Sequence, residues 1–235
     1  MKVNIVVIPT YNERENIEEL IASILSLPLS LDILVVDDSS PDGTWKLVEK
    51  ISQKERRVKL LLRKKKEGLG KAYQEGFSLA LQEGYQFIME MDADFSHPPH
   101  FLLHLRETAE NFPVVIGSRY VPGGGIQGWS LKRRLLSRMG NLYVKLFLNL
   151  PVTDTTSGFR CYRREVLEKI PLSSLSGKGF FFQIEMTYWA YRLGFPIKEI
   201  PITFVERKKG KSKITSSIIW EALFKVPKLR FQKIP

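Results

Sequence analysis

The stretch FIMEMDADFSHPP, residues 87–99, joins an apolar run to two aspartates one residue apart. If the run is a buried strand, Asp92 and Asp94 lie on one face just past its end, because alternate strand residues share a face. Two carboxylates held that close repel each other, and a cation between them would relieve the repulsion. A divalent ion with oxygen ligands, Mg²⁺ or Mn²⁺, fits this position and usually carries a phosphate. The stretch therefore predicts a diphosphate site, the alternative being an acidic turn before a proline-started helix.

Strand-like and helical stretches alternate through the first 112 residues. Apolar runs that predict strands lie at residues 3–9, 31–36, 58–62 and 87–91, and a polar loop and a helical stretch follow each of them. This alternation predicts an α/β fold with a mostly parallel central sheet flanked by helices. Ligands of such sheets lie beyond the carboxyl ends of the strands. Those ends carry Tyr11, Glu13, Asp37, Asp38, Asp92 and Asp94.

The glycine signatures that bind phosphate in dinucleotide and P-loop proteins are missing after the first predicted strand. The segment Gly68-Leu69-Gly70 comes too late in the chain and is too short to replace them, so it predicts a turn that enters a helix. We therefore do not expect NAD or a P-loop nucleotide as the ligand.

The second half of the chain adds a glycine-rich stretch and a basic helix. Residues 121–129, VPGGGIQGW, predict a mobile loop or lid, the alternative being an ordinary surface loop. The helix that follows runs to about residue 148. Arg134 and Arg138 lie one turn apart on it, where they either hold one anion or belong to a solvated basic face.

Two features of the last third allow a structural and a functional interpretation. Glu185 lies in an apolar helix at residues 180–193, where its burial would require a partner, so it is either paired structurally or used for substrate. A last strand is predicted at residues 196–205. The basic run after it, residues 207–213, is either a solvated loop or a clamp that orders over a phosphate ligand.

Length and composition indicate one folded domain in a reducing compartment. The chain has 235 residues, 43% of them hydrophobic, which suits a single domain with a sizeable core. Cys161 is the one cysteine, so no internal disulfide can form, and no signal peptide is recognised before the first strand. No apolar run approaches the roughly 20 residues of a transmembrane helix. These observations predict a cytoplasmic protein.

Charge is divided unevenly along the chain. Residues 1–118 contain 14 Lys and Arg against 18 Asp and Glu, whereas residues 119–235 contain 22 against 7. An acidic half and a basic half indicate two binding tasks, one for a metal and one for anions. Basicity alone is compatible with nucleic acid or with an anionic membrane surface. Residues 214–231 have the profile of a basic amphipathic segment at a membrane interface, unless they pack onto the domain.

Six motifs, in order, carry a resemblance to a known family: PTYNERENI (9–17), VVDDSSPDGT (35–44), MDADFSHPP (91–99), GSRYVPGG (117–124), TSGFR (156–160) and the basic loop after Arg207. The chain resembles the family-two glycosyltransferases of the GT-A fold, and among them the enzymes that make dolichyl- or polyprenyl-phosphate mannose. The resemblance covers about residues 3–213. It implies a GT-A domain at 1–213 and a basic amphipathic C-terminal segment at 214–235, expected at a membrane interface.

The resemblance also implies a role for each matching residue. The positions expected to hold the base and ribose of GDP-mannose are Pro9, Tyr11, Glu13, Val36 and Asp38, with Ala93 beside the ribose. Asp92 and Asp94 are expected to bind Mg²⁺ or Mn²⁺ on the diphosphate, and Asp94 and Arg119 to be catalytic. The residues expected to receive the lipid phosphate are Arg119, Arg133 and Ser137. Arg207 and Lys213 are expected to close over the sugar nucleotide.

The implied acceptor is a polyprenyl or dolichyl monophosphate, and no nucleic acid partner is expected. A phosphate monoester, with a second pKa of about 6, is already an anionic nucleophile at neutral pH. The absence of an evident general base beside the metal motif is therefore compatible with a single inverting displacement. The alternatives are UDP-glucose or another donor, a hydroxyl acceptor that would need a base, or a non-catalytic basic module that binds membrane or nucleic acid.

Two departures from the family affect these expectations. Some relatives have a glutamine metal ligand where this chain has Ser96, which leaves the third protein ligand open. Some relatives also carry transmembrane helices after the catalytic domain, and this sequence has none. Contact with the cytoplasmic face of a membrane is therefore expected from the C-terminal segment or from an anchoring subunit.

Overall fold

A central sheet of seven strands organises the chain, in the order β3-β2-β1-β4-β7-β5-β8. The computed structural model describes residues 2–207 and 216–232. The strands are β1 (Asn4–Thr10), β2 (Asp32–Asp37), β3 (Val58–Leu62), β4 (Phe87–Glu90), β5 (Val114–Ser118), β6 (Gly125–Gln127), β7 (Arg160–Arg163), β8 (Ile197–Pro201) and β9 (Thr203–Val205). The helices are α1 (Arg14–Leu25), α2 (Thr44–Ser52), α3 (Leu69–Gln82), α4 (Phe101–Thr108), α5 (Leu131–Leu148), α6 (Arg164–Lys169), α7 (Phe180–Arg192) and α8 (Ser216–Leu229).

The four strands of the first half are parallel, and β1, β2 and β4 are largely buried, as their continuous apolar runs predict, whereas β3 is a part-exposed edge strand. Along β1, Ile5 and Val7 pack into one core cluster and Val6 and Ile8 into the other, on the opposite face of the sheet. Helix α1 covers the second cluster because its apolar residues recur at helical spacing. The predicted α/β class with a mostly parallel sheet is confirmed.

Strand β7 is the antiparallel exception, and it lies between β4 and β5. Its first residue, Arg160, is paired with Glu90 at the end of β4 and with Ile116 on β5. Because β7 runs the other way, it begins at the edge where β4 and β5 end. The turn before β7, residues 154–158, is thereby brought to the carboxyl edge of the sheet.

The predicted last strand, residues 196–205, is wrong as a single element. It divides into β8, which pairs with β5 in the main sheet, and β9, which pairs with β6 in a separate two-stranded sheet. The division falls at Pro201, which has no N–H to continue a ladder. Between the strands, the Ile202 N–H donates to the Ser118 carbonyl at 3.0 Å.

Part of the glycine-rich stretch 121–129 is also more regular than predicted, because β6 forms within it. Gly124 lets this segment approach the main sheet, since a Cβ there would lie 2.7 Å from the Ser118 carbonyl oxygen. Pairing with β9 therefore fixes the residues that lead into α5.

The described part of the C-terminal segment packs onto the domain. Val226 and Leu229 of α8 are fully buried in the core, and the Tyr143 hydroxyl of α5 donates to the Leu223 carbonyl at 2.8 Å. The helix continues through Pro227 rather than ending there. None of the described helices has the length and apolar character to cross a bilayer.

Candidate active site

Strands β1 and β2 end side by side at the carboxyl edge of the sheet. In their register, Pro9 lies opposite Val36 and Thr10 opposite Asp37. Asp37 accepts hydrogen bonds from the Thr10 hydroxyl at 2.6 Å and from the Ser40 backbone and hydroxyl at 2.8 and 2.7 Å. Asp37 therefore fixes the turn after β2, while Pro9 and Val36, both predicted base-binding positions, are brought together.

Asp38 forms a buried ion pair with Arg63, the residue that follows β3. Arg63 also contacts Glu75 at 3.0 Å and Glu67 at 3.2 Å. Burial raises the pKa of the Asp38 carboxyl, and the charge of Arg63 offsets only part of that rise. The Asp38 carboxylate is thus held at one place on the edge, by an arginine that the sequence did not single out.

Tyr11 and Glu13 lie in the turn after β1, where three loops meet. The Glu13 N–H donates to the Thr44 hydroxyl at 3.0 Å, and the Glu13 carboxylate accepts from the Asn16 amide at 3.0 Å. The ammonium group of Lys66 lies 3.8 Å from the centre of the Tyr11 ring. This edge therefore combines an aromatic face with fixed carboxylates, a surface suited to a base and a ribose.

The two aspartates after β4 have different surroundings. Asp94 is 5% exposed, accepts from the Ser96 N–H at 3.0 Å and pairs with the Arg207 guanidinium at 2.8 Å. The Asp92 side chain is 37% exposed, and the His97 Nδ1 atom lies 3.9 Å from its carboxylate. Ala93, predicted to lie beside the ribose, is buried in the core cluster below.

Charge at this edge disfavours a second ionised carboxyl. Burial and the Asp94 carboxylate raise the pKa of Asp92 to about 8, with Arg207 opposing the rise and Glu13 adding to it. The partial exposure of Asp92 means that solvent screens part of this repulsion. Burial lowers the pKa of His97 to about 4, so its ring is neutral at pH 7. The ends of β1 and β4 are adjacent, as predicted, because the two strands pair in parallel with Val7 opposite Glu90.

The donor atoms at this edge fit a hard divalent cation that arrives with its phosphates. Asp92 and Asp94 supply carboxylate oxygens, and the hydroxyl of Ser96 is buried without a hydrogen-bond partner among the described residues. Within residues 2–207 and 216–232, no three His, Cys, Asp or Glu side chains form a ready-made cation site. Mg²⁺ typically binds through one or two carboxylates plus substrate phosphates. The guanidinium of Arg207 occupies the position of a counter-charge beside Asp94.

Arg119 follows β5, across a cleft from the acidic edge described above, and is held by Asp154. The Arg119 backbone N–H, Nε and Nη2 donate to this carboxylate at 2.9, 2.7 and 2.5 Å, and Nη2 also donates to the Thr156 hydroxyl at 2.8 Å. Burial works against ionisation of Asp154, but Arg119 holds the pKa of that carboxyl below its usual range. Asp154 reaches Arg119 because it lies in the turn before β7. Asp154 is the only aspartate after residue 94, but its place in a polar turn does not reveal this role in the sequence.

Arg133 and Ser137, predicted to receive a lipid phosphate, lie on consecutive turns of α5. Arg133 donates to the Glu206 carboxylate at 2.8 Å, and its guanidinium carbon lies 4.0 Å from the centre of the Trp129 ring. The Tyr120 hydroxyl donates to Ser137 at 2.6 Å. Tyr120 directly follows Arg119, so the three predicted phosphate ligands belong to one connected group.

A column of aromatic rings joins the two sides of the cleft. His97 lies 5.3 Å from Phe204 in an edge-to-face contact, and Phe204 lies 5.2 Å from Trp129. The Arg119 guanidinium is 5.6 Å from both Phe204 and Trp129. The aspartates after β4 and the arginines of β5 and α5 therefore face one cleft. Asp92 is close enough that its charge contributes to the raised pKa of Arg119, against the effect of burial.

Among the residues that the structure describes, Arg134 and Arg138 do not contact a shared group. Arg134 donates to the Ile126 carbonyl at 2.8 Å, whereas the Arg138 guanidinium lies 5.7 Å from the Tyr120 ring. The predicted role of this pair in holding one anion therefore finds no support in these contacts. Lys213, expected to close over the donor, lies outside the described residues.

Glu185 is a structural residue rather than part of this cleft. Its carboxylate accepts from the backbone N–H groups of Ser176 and Gly177, at 3.1 and 2.7 Å. The loop that it holds meets the start of α3, where the Leu69 N–H donates to the Lys178 carbonyl. The helix-entry turn predicted at residues 68–70 is thus confirmed.

Comparison with known proteins agrees with this geometry. Residues 5–171 match the family model described as glycosyl transferase family 2. The chain is 46% identical over 224 residues to polyprenol monophosphomannose synthase of Mycolicibacterium smegmatis, covering 94% of this chain and 84% of that protein. It is 42% identical over 220 residues to undecaprenyl-phosphate mannosyltransferase of Micrococcus luteus, covering 94% and 90%.

Among solved structures, the fold is similar to glucosyl-3-phosphoglycerate synthase of Mycobacterium tuberculosis. The complex of that enzyme with Mn²⁺, UDP-glucose and phosphoglyceric acid aligns with a TM-score of 0.71 at 19% identity, over 97% of this chain and 79% of that one. At this identity the likeness concerns the fold, a central sheet flanked by helices.

Proposed function

This chain belongs to glycosyltransferase family 2, and we propose that it transfers mannose from GDP-mannose to a polyprenyl or dolichyl monophosphate with the aid of Mg²⁺ or Mn²⁺. Membership of an enzyme family argues against the alternative that the chain is a non-catalytic basic module. The observation that carries the proposal is the juxtaposition, across one cleft, of an acidic edge with Arg119, which the buried carboxylate of Asp154 holds in place. The names of the two bacterial relatives support the polyprenyl acceptor and the mannosyl group.

The donor side is assigned to the ends of β1, β2 and β4. The base and ribose of the nucleotide would lie against Tyr11, Glu13 and Asp38, which the loops after these strands hold in place. A divalent cation bound by Asp92 and Asp94 would supply positive charge to the leaving diphosphate. Arg207, already beside Asp94, and Lys213 would close over the sugar nucleotide.

The acceptor side is assigned to Arg119, Arg133 and Ser137. A phosphate monoester carries its own negative charge at pH 7, so no side chain has to remove a proton. Arg119, held by Asp154, would align a phosphate oxygen with the anomeric carbon of the sugar. As the new carbon–oxygen bond forms, the bond from that carbon to the β-phosphate oxygen of the nucleotide breaks. A single displacement from the opposite face converts an α-linked donor into a β-linked mannosyl phosphate and releases GDP.

Helix α5 supports a location at a membrane surface. Five of its apolar side chains form a stripe on one face and are 55 to 81% exposed: Leu131, Leu135, Met139, Leu142 and Leu146. We call this group the leucine stripe, and it extends for about 22 Å. The helix also contains five basic residues and no acidic residue. Exposed apolar area edged by Lys and Arg is typical of helices that lie in the interface of an anionic bilayer.

We therefore propose peripheral binding to the cytoplasmic face of a membrane, through α5 together with the C-terminal segment. Leu223, Phe224 and Phe231 of that segment are 42, 63 and 81% exposed beside α5. Arg133 and Ser137 lie on the same helix as the leucine stripe, so a lipid phosphate would reach them from the bilayer. This surface would give the chain its own membrane contact without an anchoring subunit.

A transfer assay with matched substrates tests the proposal. Purified protein is supplied with radiolabelled GDP-mannose, undecaprenyl phosphate in detergent, and Mg²⁺ or Mn²⁺. We expect labelled lipid that is sensitive to mild acid, with none formed when undecaprenol replaces undecaprenyl phosphate or when a chelator removes the metal. Transfer from UDP-glucose in place of GDP-mannose, or transfer to undecaprenol, would contradict the proposed donor or acceptor.

A further inference from the structure

Trp129 lies close to both arginines of the acceptor side and is buried beside them. It ends the turn from β6 into α5 and is 9% exposed. The guanidinium of Arg133 lies 4.0 Å from the centre of its ring, within the range of a cation–π contact, and that of Arg119 lies 5.6 Å away. The edge of Phe204 packs against the same indole at 5.2 Å.

The indole N–H of Trp129 is an unused donor. It is buried, and none of the described residues accepts a hydrogen bond from it. Buried tryptophan N–H groups usually find a partner, because leaving one unsatisfied costs about 1–3 kcal/mol. The neighbouring guanidinium groups are also donors and cannot serve as acceptors. A donor enclosed by two cations is suited to an anion.

Arg133 already has an anionic partner. The Glu206 carboxylate lies 2.8 Å from its guanidinium, so the surroundings of Arg133 accommodate a negatively charged oxygen. The turn before Trp129 is shaped around this carboxylate, because a Cβ at Gly128 would lie 2.6 Å from the Glu206 Cβ. Glu206 and Arg133 are 42 and 33% exposed, so a dianionic ligand can reach and displace this pair.

We propose that Trp129 is a positioning and specificity residue for the acceptor. The face of the indole orients Arg133, and the indole N–H donates a hydrogen bond to an oxygen of a phosphate monoester bound between Arg119 and Arg133. This inference rests on the proposed function, since it adds the indole N–H to the residues already assigned to the acceptor side of the same cleft. A phosphate monoester offers anionic oxygens to the indole N–H and to both guanidinium groups, whereas an alcohol offers none.

Two substitutions separate the roles of the ring and the N–H. Trp129→Phe keeps an aromatic face for Arg133 and removes the N–H, whereas Trp129→Leu removes both. Trp45→Phe, in α2 and outside the cleft, is the matched control. Binding of farnesyl phosphate is measured by calorimetry, with farnesol and inorganic phosphate as comparison ligands, and binding of GDP with Mn²⁺ is measured on the same proteins. Melting temperatures confirm that each variant is folded.

We expect Trp129→Phe to weaken the binding of farnesyl phosphate about tenfold, equivalent to about 1.4 kcal/mol, because one hydrogen bond to a charged acceptor is lost. The binding of inorganic phosphate should weaken in parallel. The affinity for GDP should change by less than about twofold, as it should in the control Trp45→Phe. Trp129→Leu should weaken the binding of farnesyl phosphate further. In the transfer assay, the KM for undecaprenyl phosphate should rise and that for GDP-mannose should not.

The outcomes distinguish this inference from the proposed function. If wild-type protein binds farnesyl phosphate and Trp129→Phe binds it equally well, the role of the N–H is overturned and the proposed function stands. If Trp129→Phe weakened the binding of farnesyl phosphate and of GDP equally, Trp129 would have only a structural role, and the inference would also be overturned. If wild-type protein binds no better to farnesyl phosphate than to farnesol, the phosphate acceptor itself is wrong.

Discussion

The two sides of the cleft are built in different ways. On the donor side, the carboxylates lie at the ends of adjacent buried parallel strands, and their positions follow from the register of the sheet. On the acceptor side, Arg119, Arg133 and Trp129 come from a strand end, a surface helix and the turn after β6, and the two arginines are held by Asp154 and Glu206. The donor side is therefore fixed by the core, and the acceptor side by polar and aromatic contacts near the surface. Substitutions on the two sides should therefore have different effects on stability, substrate binding and transfer.

The largest effect is expected for Asp94→Asn. Asparagine can keep the hydrogen bond from the Ser96 N–H but loses the charge that binds a cation. We expect transfer to fall about a thousandfold with little change in melting temperature. Mn²⁺-dependent binding of GDP, measured by calorimetry, should be lost in parallel. Near-normal turnover would show that this carboxylate is not a metal ligand, and would break the assignment of the donor side.

Asp154→Asn should damage both stability and transfer, because it leaves Arg119 buried without its counter-ion. Removing one partner of a buried pair typically costs about 3–5 kcal/mol. We expect that loss in urea unfolding, together with a roughly hundredfold lower kcat/KM for undecaprenyl phosphate. Asp42→Asn, at a turn on the donor side, is the control for a carboxylate near the surface. A stable Asp154→Asn enzyme with normal kinetics would show that Arg119 does not depend on this carboxylate.

Arg133→Ala should separate the two substrates. Loss of the guanidinium removes a charge-assisted contact to the acceptor phosphate. We therefore expect the KM for undecaprenyl phosphate to rise about thirtyfold. The KM for GDP-mannose should change by less than about threefold. Lys132→Ala, which removes the adjacent exposed charge, is the matched control. Equal effects on both substrates would place Arg133 outside the acceptor side.

The leucine stripe should control access to lipid rather than the chemistry. We expect Leu142→Glu with Leu146→Glu to reduce flotation with phosphatidylglycerol-containing vesicles about tenfold, because charges would enter the bilayer interface. Transfer to farnesyl phosphate in solution should stay near normal. Leu62→Glu, at an exposed position on the edge strand β3, is the control. Unchanged flotation would remove α5 from the membrane contact, and a dimer that dissociates on substitution would identify the stripe as a subunit interface.

The smallest effect is a dependence of stability on pH. The folded-state pKa of Asp154 is depressed, so its pair with Arg119 contributes stability above the unfolded pKa of about 4 and loses it as pH falls through the lower folded value. The difference in unfolding free energy between wild type and Asp154→Asn should therefore shrink between pH 5 and pH 2. A difference that stays constant over this range would show that the pKa of Asp154 is the same in the folded and unfolded chains, which would contradict the depressed value.

The places of the residues assigned to the donor side could be predicted from the sequence, because these residues are contiguous with their strands. An apolar run followed by Asp92-Ala93-Asp94 specifies both the strand and the place where it ends. Asp154 could not be predicted in this way, since its contact with Arg119 depends on β7 running antiparallel between β4 and β5. Arg133 and Ser137 were identified through family resemblance alone.

Other differences arise from contacts between distant parts of the chain. Trp129, Glu206 and Arg63 acquire their partners only when separate loops meet in the fold. The predicted strand at residues 196–205 failed because periodicity does not show which sheet a strand joins. Its division at Pro201 becomes evident only when β6 is available as a partner for β9.

Strand β7 also fixes the distance between β4 and β5. The strand that ends in the metal motif and the strand that ends in Arg119 are both hydrogen-bonded to it. They are therefore held two inter-strand spacings apart, about 9.5 Å. In the proposed reaction, the gap between the departing and the incoming phosphate would thus be set by backbone geometry deep in the protein. Loops around this gap can change which nucleotide or lipid enters while the span that one hexose must bridge stays constant.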